Sequence, residues 1–212
     1  MAGLRAQKFV GFGLAAVGFA YPMMKDAVTS VASFQDRRVW APDNDPGALK
    51  AYSSFNITPI PLPIADVLTG LQTGLIDSIG SPPIGAIALQ WHTQVDYALE
   101  LPLMYVYGLF AITERAFSRM DESEQAIVTE ELSAAVARVD AASRKDNEAA
   151  NQALVDQGLQ WLQPSNAERA EWYSIADGAN QRLKANEYVS EAMFDELMAL
   201  LQEYRSAQNA NP

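Results

Sequence analysis

The apolar positions of this chain change period several times, and each change marks an element. Phe9 to Tyr21 (FVGFGLAAVGFAY) is apolar almost throughout, with glycines at 11, 13 and 18. Such a run, placed after Arg5 and Lys8, imitates a secretory signal, and it equally reads as a buried strand followed by a turn over Tyr21–Val28. It is too short and too rich in glycine for a membrane span, which needs about 20 apolar residues. Arg37 to Ala41 is a second extended run. Asp45-Pro46 opens a helix to about Phe55, because Asp accepts free N-terminal amides and Pro fits the first helical position.

Ile57 to Gly85 is the densest stretch. Thr58-Pro59-Ile60-Pro61-Leu62-Pro63 must be extended, since each proline fixes φ and pushes its predecessor out of the α region. The missing N–H groups restrict it to an edge strand or a strand leading into a turn. Val67, Leu68, Leu71 and Leu75 then repeat at helical spacing, and Gly74 stands where a helix ends. Ile76-Asp77-Ser78-Ile79 is extended again, and Gly80-Ser81-Pro82-Pro83 opens another helix. Strand, helix, strand and helix in this order imply a parallel sheet with crossovers.

Ile84 to Trp91 reads as a helix, Tyr97 to Leu103 as extended, and Met104 to Thr113 (MYVYGLFAIT) as a strand crossing between lobes. Asp121 with Glu124 makes a capping-box start. Val128, Leu132, Val136 and Val139 mark one face of the helix that follows, to about Gln157. At 1.5 Å per residue such a helix is on the order of 55 Å long. It therefore spans both lobes or breaks near Ser143–Lys145. Ser165 with Glu168 caps another helix, and a last one covers about Ser190 to Arg205. The tail Ala207–Pro212 is expected to be disordered.

The net charge of −11 argues against a nucleic-acid partner, which needs a basic face. The acidity lies mainly in the C-terminal helices as a solvated surface. With no cysteine, disulfides, thiolate metal sites and a cysteine nucleophile are excluded. His92, the single histidine, has no carboxylate at ligand spacing, so neither a metal site nor a Ser-His-Asp triad can be nominated. A structural hydrogen bond is the simpler role for it. A binding site is better supported, because ligands sit beyond the carboxyl ends of strands, at helix N-termini. Two such places occur, at Val39-Trp40 and at Ser78–Pro83. Gly80 permits close approach there, and Ser81 offers a hydroxyl at a helix start, as a ligand contact or as a plain N-cap.

LTGLQTGLIDS (Leu68–Ser78), followed by a Pro-containing helix start, resembles the signature of the DctP family, the periplasmic solute-binding proteins of TRAP transporters. SVASFQDRRVWAP (Ser30–Pro42) is similar to the family's approach to its ligand-contacting strand. Glu114–Glu130 is similar to its step from hinge strand into long helix. The resemblance favours the strand reading of Phe9–Tyr21, with Met1 not the natural start. The first third of the family's architecture has no counterpart, so the chain resembles an N-terminally truncated member.

The resemblance implies an α/β, two-lobed periplasmic-binding-protein-like fold with mixed, mainly parallel sheets and long C-terminal helices. Residues 1–103 would form a ligand-binding lobe. Residues 104–212 would supply the hinge strand, a lobe-spanning helix and the C-terminal helices. It implies no enzyme activity, cofactor or metal, and a periplasmic location. The partners would be a small organic solute and the small and large membrane subunits of the transporter.

The family's carboxylate-clamping arginine falls at Trp40, a second basic contact near Ala20 or Tyr21, an aromatic contact near Ile64, and a polar contact at Ser81. Phe19, Tyr21, Trp40, Ile64, Ile79 and Trp91, with Gly80 and Ser81, would then line an apolar, aromatic site, unless Trp40 is a core residue. Its ligand would be an aromatic or bulky apolar acid, or an uncharged solute. Two other readings stand beside this one: an α/β enzyme of unknown reaction, and a fragment without binding activity.

Overall fold

The fold was obtained as a computed structural model, which describes residues 2–185 and 189–209. A short helix α1 (Ala2–Ala6) precedes β1 (Phe9–Met24), the longest strand. Then follow α2 (Val31–Gln35), β2 (Trp40–Pro42), α3 (Pro46–Ser54), β3 (Ile60–Leu62), α4 (Val67–Thr73), β4 (Ser78–Ser81) and α5 (Pro83–Ala88). The second half contains β5 (Tyr97–Leu99), β6 (Met104–Thr113), α6 (Glu114–Phe117), α7 (Glu122–Asp156), β7 (Gln160–Leu162), α8 (Asn166–Ala185) and α9 (Glu191–Asn209).

The apolar run at the N-terminus is a strand, and no turn begins at Tyr21, since β1 continues to Met24. Its C-terminal residues Tyr21–Met24 pair with β4, and Met23 and Met24 also pair with β5. Its N-terminal part, Phe9 to Ala20, pairs with β6 as a two-stranded ribbon. All three pairings of β1 are antiparallel. Parallel pairing is found where strands are joined through helices: β2 with β3, β5 with β7, and a Val39–Ser78 bridge. The sheet is therefore mixed, with an antiparallel centre. β3 lies at an edge, as its prolines require.

Period-2 alternation divides the core between the two faces of the sheet. Met23, Trp40, Ile79 and Ala98 face one way, packed with Val67 and Leu71 of α4, Trp91 and Leu154. Met24, Val39 and Leu99 face the other, packed with Phe34, Ile57 and Trp172 of α8. Residues on both sides of position 103 build this core, because Leu154, β7 and Trp172 return to the sheet of the first half. Gly74 takes φ 72° and closes α4 in the left-handed region.

The helix α7 begins at the capping box of Asp121 and Glu124 and runs 35 residues without a break at Ser143–Lys145. That is roughly 52 Å at 1.5 Å per residue. One end of it packs against the ribbon and the other, through Leu154, against the core of the sheet. Ser165 and Glu168 cap α8 reciprocally, at 3.3 and 2.7 Å. The last helix extends to Asn209, past the expected start of a disordered tail. The rest of that tail, 210–212, and Met1 lie outside the described residues.

Two irregularities interrupt the ribbon's register, at Gly11/Gly13 and at Ala16/Gly18, each leaving one residue of β1 unpaired. Gly13 and Gly18 have φ of 148° and 131°, conformations open to glycine alone. A Cβ at Gly13 would come within 2.8 Å of Val136, and one at Gly18 within 2.8 Å of the Asn147 amide nitrogen. Both glycines thus let α7 lie directly on the strand. At Gly18 backbone strain and collision add, whereas a Cβ at Gly74 meets nothing within 4 Å. Gly18→Ala should cost about 3 kcal/mol or more, and Gly74→Ala about 1 kcal/mol. Urea unfolding of the two variants checks this; equal losses would contradict the close seating of α7.

Candidate functional site

Three strand pairings meet where β1 passes from ribbon to sheet. Ala20 stands opposite Met104, Tyr21 opposite Ser81, Pro22 opposite Gly80, and Met23 opposite both Ile79 and Ala98. A cavity opens on each side of this joint. The smaller, of about 130 Å³, lies between α3, α8 and the Leu101–Met104 segment, with aromatic walls from Phe34, Phe55, Trp172 and Tyr173. Burial pushes the Tyr52 hydroxyl in its wall up to about 12. A Cβ on Gly80 would sit 3.7 Å from that hydroxyl and 3.6 Å from Leu103, so Gly80 backs this cavity.

The larger cavity, of about 300 Å³, lies between the ribbon and α7. Phe19, Tyr21 and Tyr105 form its aromatic side, and Ser143, Arg144, Asn147 and Glu148 its polar side. Phe19 meets Tyr105 edge-to-face at 4.8 Å, and Tyr21 meets Trp161 likewise at 5.0 Å. Burial, and then the negative charge of Glu100, raise the pKa of Tyr21 above the ordinary tyrosine value.

The residues nominated from sequence divide into two groups. Tyr21 and Phe19 line the larger cavity, and Gly80 adjoins the smaller. Trp40, Ile79 and Trp91 line neither: they are 6, 1 and 4 % exposed and belong to one core cluster. The physical reason is strand parity, which turns Trp40 to the face covered by α4 and the Trp91 turn. There its indole N–H donates to the Leu62 carbonyl at 2.9 Å, and the two tryptophan rings meet at 5.1 Å. Ile64 starts a short 3₁₀ turn and is 54 % exposed, away from both cavities.

Ser81 is buried, and its hydroxyl donates to the Pro82 carbonyl at 2.9 Å. The Ile84 amide at the start of α5 donates to Asn147 Oδ1 at 3.3 Å. Two donors of the anion anchor expected at this helix start, the Ser81 hydroxyl and the Ile84 amide, are therefore already engaged. His92 makes the structural bond anticipated for it, Nδ1 lying 3.0 Å from the Ala86 carbonyl.

Sequence reading missed the polar stripe of α7. The unpaired Val17 of the second bulge leaves backbone groups that need partners. Asp140 accepts the Ala16 amide at 2.8 Å, and the Asn147 side-chain amide donates to the Val17 carbonyl and, at 2.9 Å, to the Ser143 carbonyl. One asparagine thus ties β1, α5 and α7 together. A signal was present: Asp140, Ser143, Asn147 and Asn151 recur every three or four residues, continuing the stripe that Val128, Leu132 and Val136 begin.

The sequence profile of the bacterial extracellular solute-binding protein family 7, DctP, matches residues 3–186. The chain belongs to the DctP family. No curated protein sequence matches it. Among solved structures, the DctP-type fold recurs in a TRAP periplasmic solute-binding protein from Haemophilus influenzae with bound L-gulonate. That likeness has TM-score 0.84 at 14% identity, over 93% of this chain and 65% of that one. The sugar acid binding protein DctPAm from Advenella mimigardefordensis, in complex with galactonate, gives TM-score 0.84 at 19% identity, over 92% and 63%. A TRAP protein from Desulfovibrio salexigens with bound orotic acid gives 0.75 at 16% identity, over 95% and 65%. At these identities the likeness establishes the α/β, DctP-type fold. The chain spans 63–65% of the length of these relatives.

Two outcomes follow for the joint. Asn147→Ala leaves the Val17 carbonyl and the Ile84 amide without partners and should cost about 1–3 kcal/mol for each group that stays dry. Chemical denaturation reads this, and an unchanged midpoint would remove Asn147 from the joint. Tyr52 favours its neutral form in the fold, since its pKa is pushed up to about 12 from 10.0. The unfolded chain releases this proton first, so the Tyr52 contribution is present below pH 10 and lost as pH rises towards 12. Tyr52→Phe should therefore flatten the alkaline decline of the melting temperature.

Proposed function

We propose that this chain supplies the ligand-binding lobe of a TRAP-type solute-binding subunit and acts by binding, without catalysis. The observation that carries this reading is the DctP match over residues 3–186. Two cavities at the strand joint support it. Residues 1–103 make most of the lobe, residues 104–113 form the hinge strand, and the later segments brace both. The protein works in the periplasm, capturing a small organic solute and passing it to the small and large membrane subunits of the transporter.

The physical step is closure. A solute held between two walls favours the closed arrangement by the difference in its affinity for closed and open states, and by no more than that. Hinge closure of this kind needs a few residues that absorb the backbone change while the lobes stay rigid. The stretch Ala20–Pro22, where β1 changes partners, is suited to that role.

The solute is an aromatic or bulky apolar organic acid, or an uncharged molecule of that shape. Support comes from Phe19, Tyr21 and Tyr105 on one side of the joint and from the aromatic walls of the smaller cavity on the other. A C4-dicarboxylate has no apolar body for these walls to cover and forgoes that burial.

Calorimetric titration of the 212-residue chain with phenylacetate, benzyl alcohol, succinate and malate tests the reading. The aromatic compounds should bind, and the dicarboxylates should bind at least tenfold more weakly. Succinate or malate bound as tightly as the aromatic compounds would overturn the assignment of the ligand class.

A further inference from the structure

In the larger cavity an aromatic wall faces two opposite charges set one helical turn apart. Arg144 and Glu148 both line it from α7. At this i, i+4 spacing an arginine and a glutamate commonly pair. Here they do not: neither makes an ion pair or hydrogen bond with any described residue, including the other. Ser143 is only 8 % exposed, and its hydroxyl has no partner among the described residues although it is not sealed from the cavity. Three polar side chains with unused bonding capacity thus open on the same 300 Å³ space. That volume stands at the lower end of the range of about 300–1,000 Å³ typical of ligand pockets.

We propose that Arg144 and Glu148 form a recognition pair for an aromatic monocarboxylic acid that carries a hydrogen-bond donor beside its carboxylate, an α-hydroxy or α-amino acid. The Arg144 guanidinium takes the carboxylate, for which its planar fork is suited. Glu148 can only accept, so it takes the neighbouring hydroxyl or ammonium. Phe19, Tyr21 and Tyr105 receive the ring, with Phe19 and Tyr105 already set edge-to-face at 4.8 Å. In a chain of net charge −11, an unpaired guanidinium beside an apolar wall is a natural seat for a single negative charge. A second carboxylate would meet Glu148 and be repelled. Asn147 stays outside this recognition, since its amide is occupied by Val17, Ser143 and Ile84.

The inference rests on the solute-binding reading and is tested so that the two can fail separately. The 212-residue chain is titrated calorimetrically with 3-phenyllactate, phenylalanine, phenylacetate, 2-phenylethanol and succinate. The same titrations are made with Arg144→Gln and Glu148→Gln. Both side chains are exposed where they line the cavity, so unchanged melting curves serve as the folding control. Arg144→Gln should weaken 3-phenyllactate and phenylalanine roughly ten- to a hundredfold and leave 2-phenylethanol unchanged. Glu148→Gln should bring both close to phenylacetate, with phenylalanine losing more because its donor is charged, and unchanged affinities for both would overturn the role of Glu148. Aromatic acids that bind equally well to wild type and Arg144→Gln would overturn the inference and leave solute binding intact. A chain that binds none of the five compounds would overturn both.

Discussion

An interrupted strand governs this structure. At the second irregularity of β1, Val17 drops out of the ladder with β6, and backbone groups on either side of it lose their strand partners. Left dry and unpaired, each such group costs about 1–3 kcal/mol. The partners come from α7: Asp140 for the Ala16 amide and Asn147 for the Val17 carbonyl. The arrangement holds only if helix and strand keep step. Gly13 to Gly18 is roughly 17 Å along a strand, and Val136 to Asn147 roughly 16 Å along a helix. The two close approaches, Gly13 on Val136 and Gly18 on Asn147, therefore match only while α7 stays straight. That match gives a physical reason for one unbroken helix through a stretch containing Ser143, Asp146, Asn147 and Asn151, all modest helix formers.

From this joint the site follows. The aromatic side chains near the bulge, Phe19, Tyr21 and Tyr105, stand over α7 at a distance set by the glycine contacts, leaving a cleft where a wider strand–helix separation would leave a gap. Asn147 also holds the first free amide of α5, so the β4–α5 turn is fixed to the same frame. Walls positioned by backbone contacts lose little freedom when a ligand arrives, and that saving appears as affinity. The buried tryptophans contribute stiffness: Trp40 bonded to Leu62 and packed on Trp91 locks β2, β3 and the turn after α5 into one layer.

Much of this architecture was readable along the chain. The β propensity of MYVYGLFAIT located β6 to the residue, Asp121 and Glu124 located the start of α7, and the prolines of TPIPLP identified an edge strand. Those signals are local, since each depends on the conformational limits of a few residues. The side of β2 on which Trp40 falls was a different kind of question. It depends on which face α4 and the Trp91 turn cover, and no local pattern states that. The antiparallel centre was hidden for a similar reason, because β1 acquires partners from three distant segments. The bulge at Val17 left only Gly18 as a trace, and its partner asparagine lies 130 residues away. Three of the eight nominated residues, Phe19, Tyr21 and Gly80, adjoin the two cavities because strand order brings them there. Arg144 escaped notice because an arginine among acidic helices reads as solvated surface.

The most direct measurement is hydrogen–deuterium exchange of the 212-residue chain with and without a saturating aromatic acid. Slowed exchange confined to Gly18–Tyr21, Ile84–Ala86 and Ser143–Asn151, with α9 unaffected, is the result expected if solute seats against the β1–α7 joint. Protection that appears elsewhere while these three segments exchange at unchanged rates would contradict it.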